Sequence, residues 1–264
     1  YFQYNIDYLK KRANLKNFIF IILLVVFAFA NNNSNTNNDD LETGFDSEFS
    51  TKNKEVFDPL SGYNRYMTTF NDKVFLNVLN PISKGYAYIT PEPIRIGINN
   101  FFENIMFPVR FSNNLLQLKF QNSSEELERF VINSLWGLGG VLDSATNELH
   151  IKSHKEDFGQ TLGFYGVGEG FPIVLPFLGP SNLRDTMGII PDSYVSVLST
   201  TGSSDLNYKI PNNLLQEVGI KTFDTINSTS LTLGEYESIR KDALDLYPFL
   251  RDIYSQARKK QIEE

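Results

Sequence analysis

His150 and His154 stand four residues apart beside Glu148, Glu156 and Asp157, a donor set that could ligate a metal ion if the segment were helical. The HExxH pattern is missing, however, and nothing in the sequence marks further ligands, so these residues are read as solvated charge ahead of a helix N-terminus. Serines are plentiful, but no GxSxG elbow accompanies either histidine, and hydrolase chemistry has no support beyond that. The glycine clusters match neither GxGxxG nor GxxxxGK[ST], which argues against nucleotide binding. No enzyme activity, cofactor or metal is therefore expected. What the residues do offer is ionic. Arg129 and Arg184 lie in apolar or Gly-rich surroundings, with Asp143, Asp157, Asp185 and Asp192 as available partners. Guanidinium–carboxylate pairs of that kind would fix short, irregularly arranged helices. Asn64, Arg65, Asn71, Asn99, Asn100 and Asn133 are read in the same way, as groups that cap helices or satisfy buried backbone atoms.

These polar residues belong to an ordered series of short motifs. Asp58-Pro59-Leu60-Ser61-Gly62-Tyr63-Asn64-Arg65 is followed by Phe70-Asn71 and by the NNFFEN run that contains Asn99, Phe101 and Asn104. Arg129-Phe130, Asn133-Ser134 and a GLGGVLD segment holding Gly139, Gly140 and Asp143 come next. Then follow Asp157-Phe158-Gly159-Gln160-Thr161-Leu162-Gly163 with Gly166 and Gly168, the LPFLGP segment with Pro176 and Gly179, and Arg184-Asp185. Each piece alone is weak. Together, over 57–195, they resemble the MlaA (VacJ) family. The resemblance implies a mainly α fold, a compact ring of amphipathic helices with a central channel in the periplasmic leaflet of the outer membrane. It implies transfer of misplaced phospholipids from the outer leaflet to a periplasmic lipid-carrier protein, with a trimeric outer-membrane porin as a further partner. Many family members carry an acylated lipobox cysteine; this sequence has no cysteine, so a Cys-linked lipid anchor and disulfides are not expected. Two bend-rich segments near the densest motifs are candidates to line or gate a channel: Gly163, Gly166, Gly168 and Gly170, and Asp192, Tyr194 and Tyr208. The competing readings are an outer-membrane or porin-associated scaffold and a periplasmic hydrolase.

Composition narrows the partners. The 264 residues hold 24 basic and 31 acidic side chains; the first thirty contain Lys10, Lys11, Arg12 and Lys16 against Asp7, leaving 20 basic and 30 acidic residues in the rest. A body at −10 repels nucleic-acid phosphates and anionic headgroups, so lipid contact must be apolar or local. Lys10–Lys16, the apolar run Phe18–Phe27 and Ala28-Phe29-Ala30 read as a Sec signal peptide over 1–30. Tyr1 is not an initiator Met, so the sequence is read as a fragment or as carrying a few foreign leading residues. A flexible polar tether is expected over 31–54, and the helical domain over 55–262.

The elements that must position the motifs are mostly helices, with room for a small β-hairpin or turn region. Apolar spacing predicts a helix from about Ser61 to Leu79, stopped by Asn80-Pro81. A second starts at Pro93, and a third at a Ser123/Glu126 capping box, ended by Gly137–Gly140. The Phe-rich stretch from Phe101 to Phe111 suits either core or lipid contact. Asp157 is expected to cap a short helix over 158–165. Ser181 would cap another that Gly188 and Pro191 terminate, and a small strand would run from Tyr194 to Ser199. A short helix near 214–220 and a long one over 236–262, kinked at Pro248, complete the reading.

Overall fold

The computed structural model describes residues 56–202 and 208–264. The proposed signal segment and tether lie outside the described residues, as does part of the 192–208 segment. Two units separate: a large one formed by Asp58–Phe164 with Glu169–Glu264, and the short Tyr165–Gly168, which bends at Gly166 (φ +82°).

The large unit opens with α1 (Ser61–Val74), whose first turn is set by Asp58, the acceptor for the Leu60 N–H at 3.2 Å. The predicted stop at Asn80-Pro81 does not occur. A π turn over Phe75–Leu79 carries the helix into α2 (Asn80–Ile89), with the Asn80 N–H bonded to the Phe75 carbonyl. That change of register places Pro81 in the first turn of α2, where no N–H is required. Helix α3 (Glu92–Ile105) starts at Pro93 as read, and α4 (Phe107–Leu116), with Pro108 in its first turn, follows after Met106 alone. Helix α5 (Phe120–Leu135) begins three residues before the expected capping box. Ser123 and Glu126 do not cap it; they are buried against α4, where the Ser123 hydroxyl donates to the Phe111 carbonyl at 3.3 Å and Glu126 receives Arg110.

The Gly137–Gly140 cluster ends α5 as expected, in a run of left-handed residues: Leu138, Gly139 and Gly140. At Gly140 the requirement is also steric, since a Cβ would sit 2.4 Å from that of Asn104. One turn, α6 (Ser144–Asn147), precedes a non-helical stretch with His150 at φ +56°, so the two histidines do not share a helix face. Helix α7 (Phe158–Phe164) is capped by Asp157, which accepts the Gln160 N–H at 2.9 Å while Gln160 accepts the Asp157 N–H at 2.9 Å. This is a reciprocal capping box.

The two strands, β1 (Pro172–Leu175) and β2 (Gly179–Asn182), pair antiparallel with Pro172 opposite Asn182 and Leu175 opposite Gly179. The expected strand over 194–199 is absent: Tyr194 and Val195 finish α8 (Leu183–Val195), and an irregular segment follows. Asn182 caps α8 rather than Ser181, which belongs to β2. Gly188 and Pro191 are interior to α8. A Cβ on Gly188 would meet the Gly159 nitrogen at 2.6 Å, so this glycine serves the α7–α8 crossing instead of a stop. Helix α9 (Leu214–Leu231) is much longer than predicted. The expected 236–262 helix is two, α10 (Glu235–Asp242) and α11 (Leu246–Glu263), broken at Ala243, which is extended. Pro248 lies in the first turn of α11 and so introduces no interior kink. The result is a mostly helical fold with one small antiparallel sheet. Helix α4 packs on α5, α7 on α8, α9 on α2 and α3, and α11 on α7.

Candidate functional site

Helix α5 shows how this unit distributes its polarity. Ser123, Glu126, Arg129 and Asn133, spaced three or four apart, are buried, while Phe120, Leu127, Val131 and Leu135 on other faces are exposed. The helix is amphipathic with its polar stripe inward. The same inversion recurs in α8, where Arg184 and Asp185 are buried but Met187, Ile189, Ile190 and Tyr194 are exposed. Among the described residues six hydrophobic side chains are buried, Phe102, Val109, Ala145, Val174, Leu198 and Tyr247, against 27 polar or charged ones. Beyond α5, Trp136 is 68% and Leu138 71% exposed.

Burying polar groups on this scale is costly unless they are paired. Three networks pair many of them, while a few buried atoms, among them the Ser83 hydroxyl and the Arg129 Nε, have no partner among the described residues. In the first, Asn64, with 0% exposure, donates to Asp58, the Pro172 carbonyl and the Tyr247 hydroxyl, and accepts the Val174 N–H at 2.8 Å. The Tyr247 hydroxyl also donates to Asp58; burial and this carboxylate push its pKa up to about 12. Asn71 secures the hairpin turn that contains Pro176, donating to the Leu175 carbonyl and accepting the Phe177 N–H. Arg65 pairs with Asp245 at the surface, and Asp245 sits just before α11.

In the second, the Arg110 Nε donates to Glu126 at 2.7 Å, and Glu126 accepts the His154 N–H at 2.6 Å. Arg129 pairs with Asp143 at 3.0 Å, and Asn133 bridges the Asp143 carboxylate and the Ala145 N–H. Phe130 stacks on Phe107 at 4.5 Å, and Asn104 donates to the Gly139 carbonyl. The His154 ring meets Glu125 at 2.7 Å. Among the described residues no group of three or more His, Cys, Asp or Glu could hold a metal.

The third network joins α7, α8 and α11. Arg258 grips Asp157 with two bonds of 2.7 Å and donates from Nε to Asp185 at 2.9 Å. Arg184 also donates to Asp185, as do Asn182 and the Tyr254 hydroxyl. Burial pushes the Asp185 carboxyl upward, but these donors outweigh it and hold it below the usual carboxylate range. Asp192 has weaker company, Asn113 and the Phe158 N–H, and burial pushes its pKa up to about 6. The Thr161 hydroxyl donates to Asn113, and Leu162 is half-buried beside it. Gly159 and Gly163 let α7 approach its neighbours: a Cβ at Gly159 would meet Asp185, and at Gly163 Ile262, each at 2.5 Å.

Of the two candidate gating segments, Gly170 is left-handed with Leu183 closely apposed, and Gly168 has open space around it. Tyr194 is exposed, and the Tyr208 hydroxyl donates to its carbonyl. Gly179 is left-handed where β2 begins. Asn100 donates to the Val141 carbonyl; Asn99 and Asp157 line a cavity of about 320 Å³ between α3, α4, α9 and α11. Phe102, Met106 and Val109 supply its apolar lining, and Arg110, Lys155, Arg258, Glu103, Glu156 and Asp224 its charged lining. The sequence reading named Asp143 and Asp185 among four possible partners of Arg129 and Arg184 without choosing between them, and it missed Arg110, Glu126 and Arg258. Polar residues at helical spacing in α5 were the available signal; Arg258 sits in a basic C-terminal run that reads as surface.

A model of the family described as MlaA lipoprotein matches residues 56–261. The intermembrane phospholipid transport system lipoprotein MlaA of Escherichia coli K12 is 32% identical over 202 residues, covering 75% of this chain and 76% of that protein. Its Haemophilus influenzae counterpart is 37% identical over 155 residues, covering 57% and 62%. A Rickettsia felis protein is 30% identical over 79% of each chain. A solved structure, described as the structural basis for maintenance of bacterial outer membrane lipid asymmetry, matches with TM-score 0.64 at 28% identity, over 78% of this chain and 98% of its own.

Proposed function

We propose a function from one premise: the chain belongs to the MlaA lipoprotein family. It acts in intermembrane phospholipid transport, drawing misplaced phospholipids from the outer leaflet of the outer membrane and passing them to a periplasmic carrier, so that lipid asymmetry is maintained. The observation that carries this reading is the inverted partition of side chains. Apolar surface in water costs about 25 cal/mol per Å², a cost that disappears against acyl chains. Buried, paired polar groups offer headgroups a path that hydrocarbon does not. No described helix is long and apolar enough to cross a membrane; we place the body in the periplasmic leaflet on the strength of its exposed apolar side chains.

Transport needs no covalent step from this chain. The headgroup follows the polar seam while the tails stay against apolar side chains, which lowers both costs at once. We place the 320 Å³ cavity on this route. Gly163, Gly166, Gly168 and Gly170, with Asp192, Tyr194 and Tyr208, are proposed to line or gate it, within a ring of helices around a central channel. A periplasmic lipid-carrier protein is the acceptor, and a trimeric porin a further partner.

The test is outer-leaflet phospholipid content in cells lacking this chain, complemented with the intact chain or with Asn99→Trp, which puts an indole into the cavity lining and narrows it. Accumulation rescued only by the intact chain supports the reading. Lipid asymmetry indifferent to loss of the chain would put the scaffold reading in its place.

A further inference from the structure

The cavity is lined by both signs of charge, but its charges are not equally engaged. Arg258 is saturated by Asp157 and Asp185. Arg110 bonds Glu126 and the Glu103 carbonyl, and Lys155 bonds Glu103 at 2.7 Å. Glu156 receives Lys119 and Gln117, each at 2.7 Å. Asp224, half-buried on α9, has no hydrogen bond or ion pair among the described residues, and the Asn99 side chain on α3 is likewise unbonded. The uncompensated charge of the cavity is thus one carboxylate, and the Asn99 amide and the apolar Phe102, Met106 and Val109 line the same space.

We propose that this cavity recognises phospholipids whose headgroup ends in a primary ammonium, with Asp224 as counter-charge and Asn99 as neutral acceptor. The inference rests on the transport reading above. A primary ammonium carries three N–H donors and can bond the Asp224 carboxylate and the Asn99 carbonyl together. A trimethylammonium has no N–H to donate and leaves the half-buried carboxylate without a hydrogen-bonded partner, while a glycerol headgroup offers neutral hydroxyl donors but no cation and leaves its charge uncompensated. The apolar wall accommodates the methylene and glyceryl portion, and about 320 Å³ lies in the size range of small-ligand sites. Burial, and then Glu103 nearby, raise the Asp224 pKa; an entering cation opposes both effects.

The test is calorimetric titration of the detergent-solubilised full chain with short-chain diacyl phospholipids bearing ethanolamine, choline or glycerol headgroups, and with free ethanolamine. The ethanolamine lipid is expected to bind about tenfold tighter than the choline lipid, the effect of one charge-assisted hydrogen bond. Asp224→Asn should bring that ratio to about one, while Asp224→Glu should retain a preference. Equal affinities in the wild type, with binding intact, overturn this inference and leave the transport reading standing. Absence of binding to every lipid overturns both. Free ethanolamine binding as tightly as its lipid would make the cavity a small-amine site and overturn the headgroup assignment. If Asp224→Asn abolishes all binding, the wild-type ratio and Asp224→Glu still decide the question.

Discussion

Replacing Arg258 with Met removes the charge that holds α7, α8 and α11 together. The side chain makes three charge-assisted bonds of 2.7, 2.7 and 2.9 Å and is only 10% exposed. Removing one partner of a buried ion pair costs about 3–5 kcal/mol. Two features reduce that figure here. The Asp157 side chain is 41% exposed, so water recovers part of its loss, and Asp185 keeps Arg184, Asn182 and Tyr254. The expected destabilisation is therefore about 2–4 kcal/mol at neutral pH. Arg258→Lys should recover only part of it, because an ammonium cannot reproduce the bidentate grip on Asp157. The assay is denaturant unfolding of the micelle-bound chain followed by far-ultraviolet circular dichroism. Its pH dependence carries a second check. Asp185 has a folded-state pKa below its unfolded value, so its contribution is present above about pH 4 and is lost as pH falls through the folded pKa. The gap between wild type and Arg258→Met should shrink over that acid range. A loss under about 1 kcal/mol, or a gap that stays constant into acid, would refute the reasoning.

Asn64→Ala strips four bonds from a fully buried hub linking α1, β1 and α11, and should cost about 2–4 kcal/mol by the same unfolding assay. Gly188→Ala drives a methyl to 2.6 Å from the Gly159 backbone and should lower the melting temperature through a loss of about 1–3 kcal/mol; an unchanged transition would mean that the α7–α8 crossing is not tight. Asp192 has its folded pKa raised to about 6, so its contribution is present below about pH 4 and lost as pH rises through 6. Asp192→Asn should flatten the stability change between pH 4 and 7, read from denaturation midpoints; an identical slope in both proteins would count against the assigned shift.

The sequence made legible whatever depends on local chemistry. Pro93 at the start of α3, Asp157 before α7 and the glycines after α5 act within a few residues of themselves. Arg129 and Arg184 also found partners among the carboxylates that charge suggested. The misses arise where tertiary structure overrides a local signal. Pro81 is harmless because a π turn shifts the register ahead of it, and Ser123 and Glu126 are diverted from capping by Arg110 and Phe111. Helix α9 outruns its weak helix formers Thr225, Asn227 and Thr229 because packing holds it. Asn227, fully buried, accepts the Tyr86 hydroxyl and donates to the Arg95 carbonyl. The deeper gap concerns orientation. Periodicity yields two faces of a helix such as α5 but not which one turns inward, and the usual assumption of an apolar interior gives the wrong answer here.

The central claim is that the exposed apolar surface sits in lipid, and the chain supplies its own probe. Trp136 is the sole tryptophan and lies on that surface beside Leu135 and Leu138. The measurement is its fluorescence in phospholipid vesicles, with bromine-labelled acyl chains as the lipid quencher and iodide as the aqueous one. A blue-shifted emission quenched by the brominated chains and shielded from iodide is the predicted result. An emission typical of water, quenched by iodide and indifferent to the brominated lipid, would contradict the account.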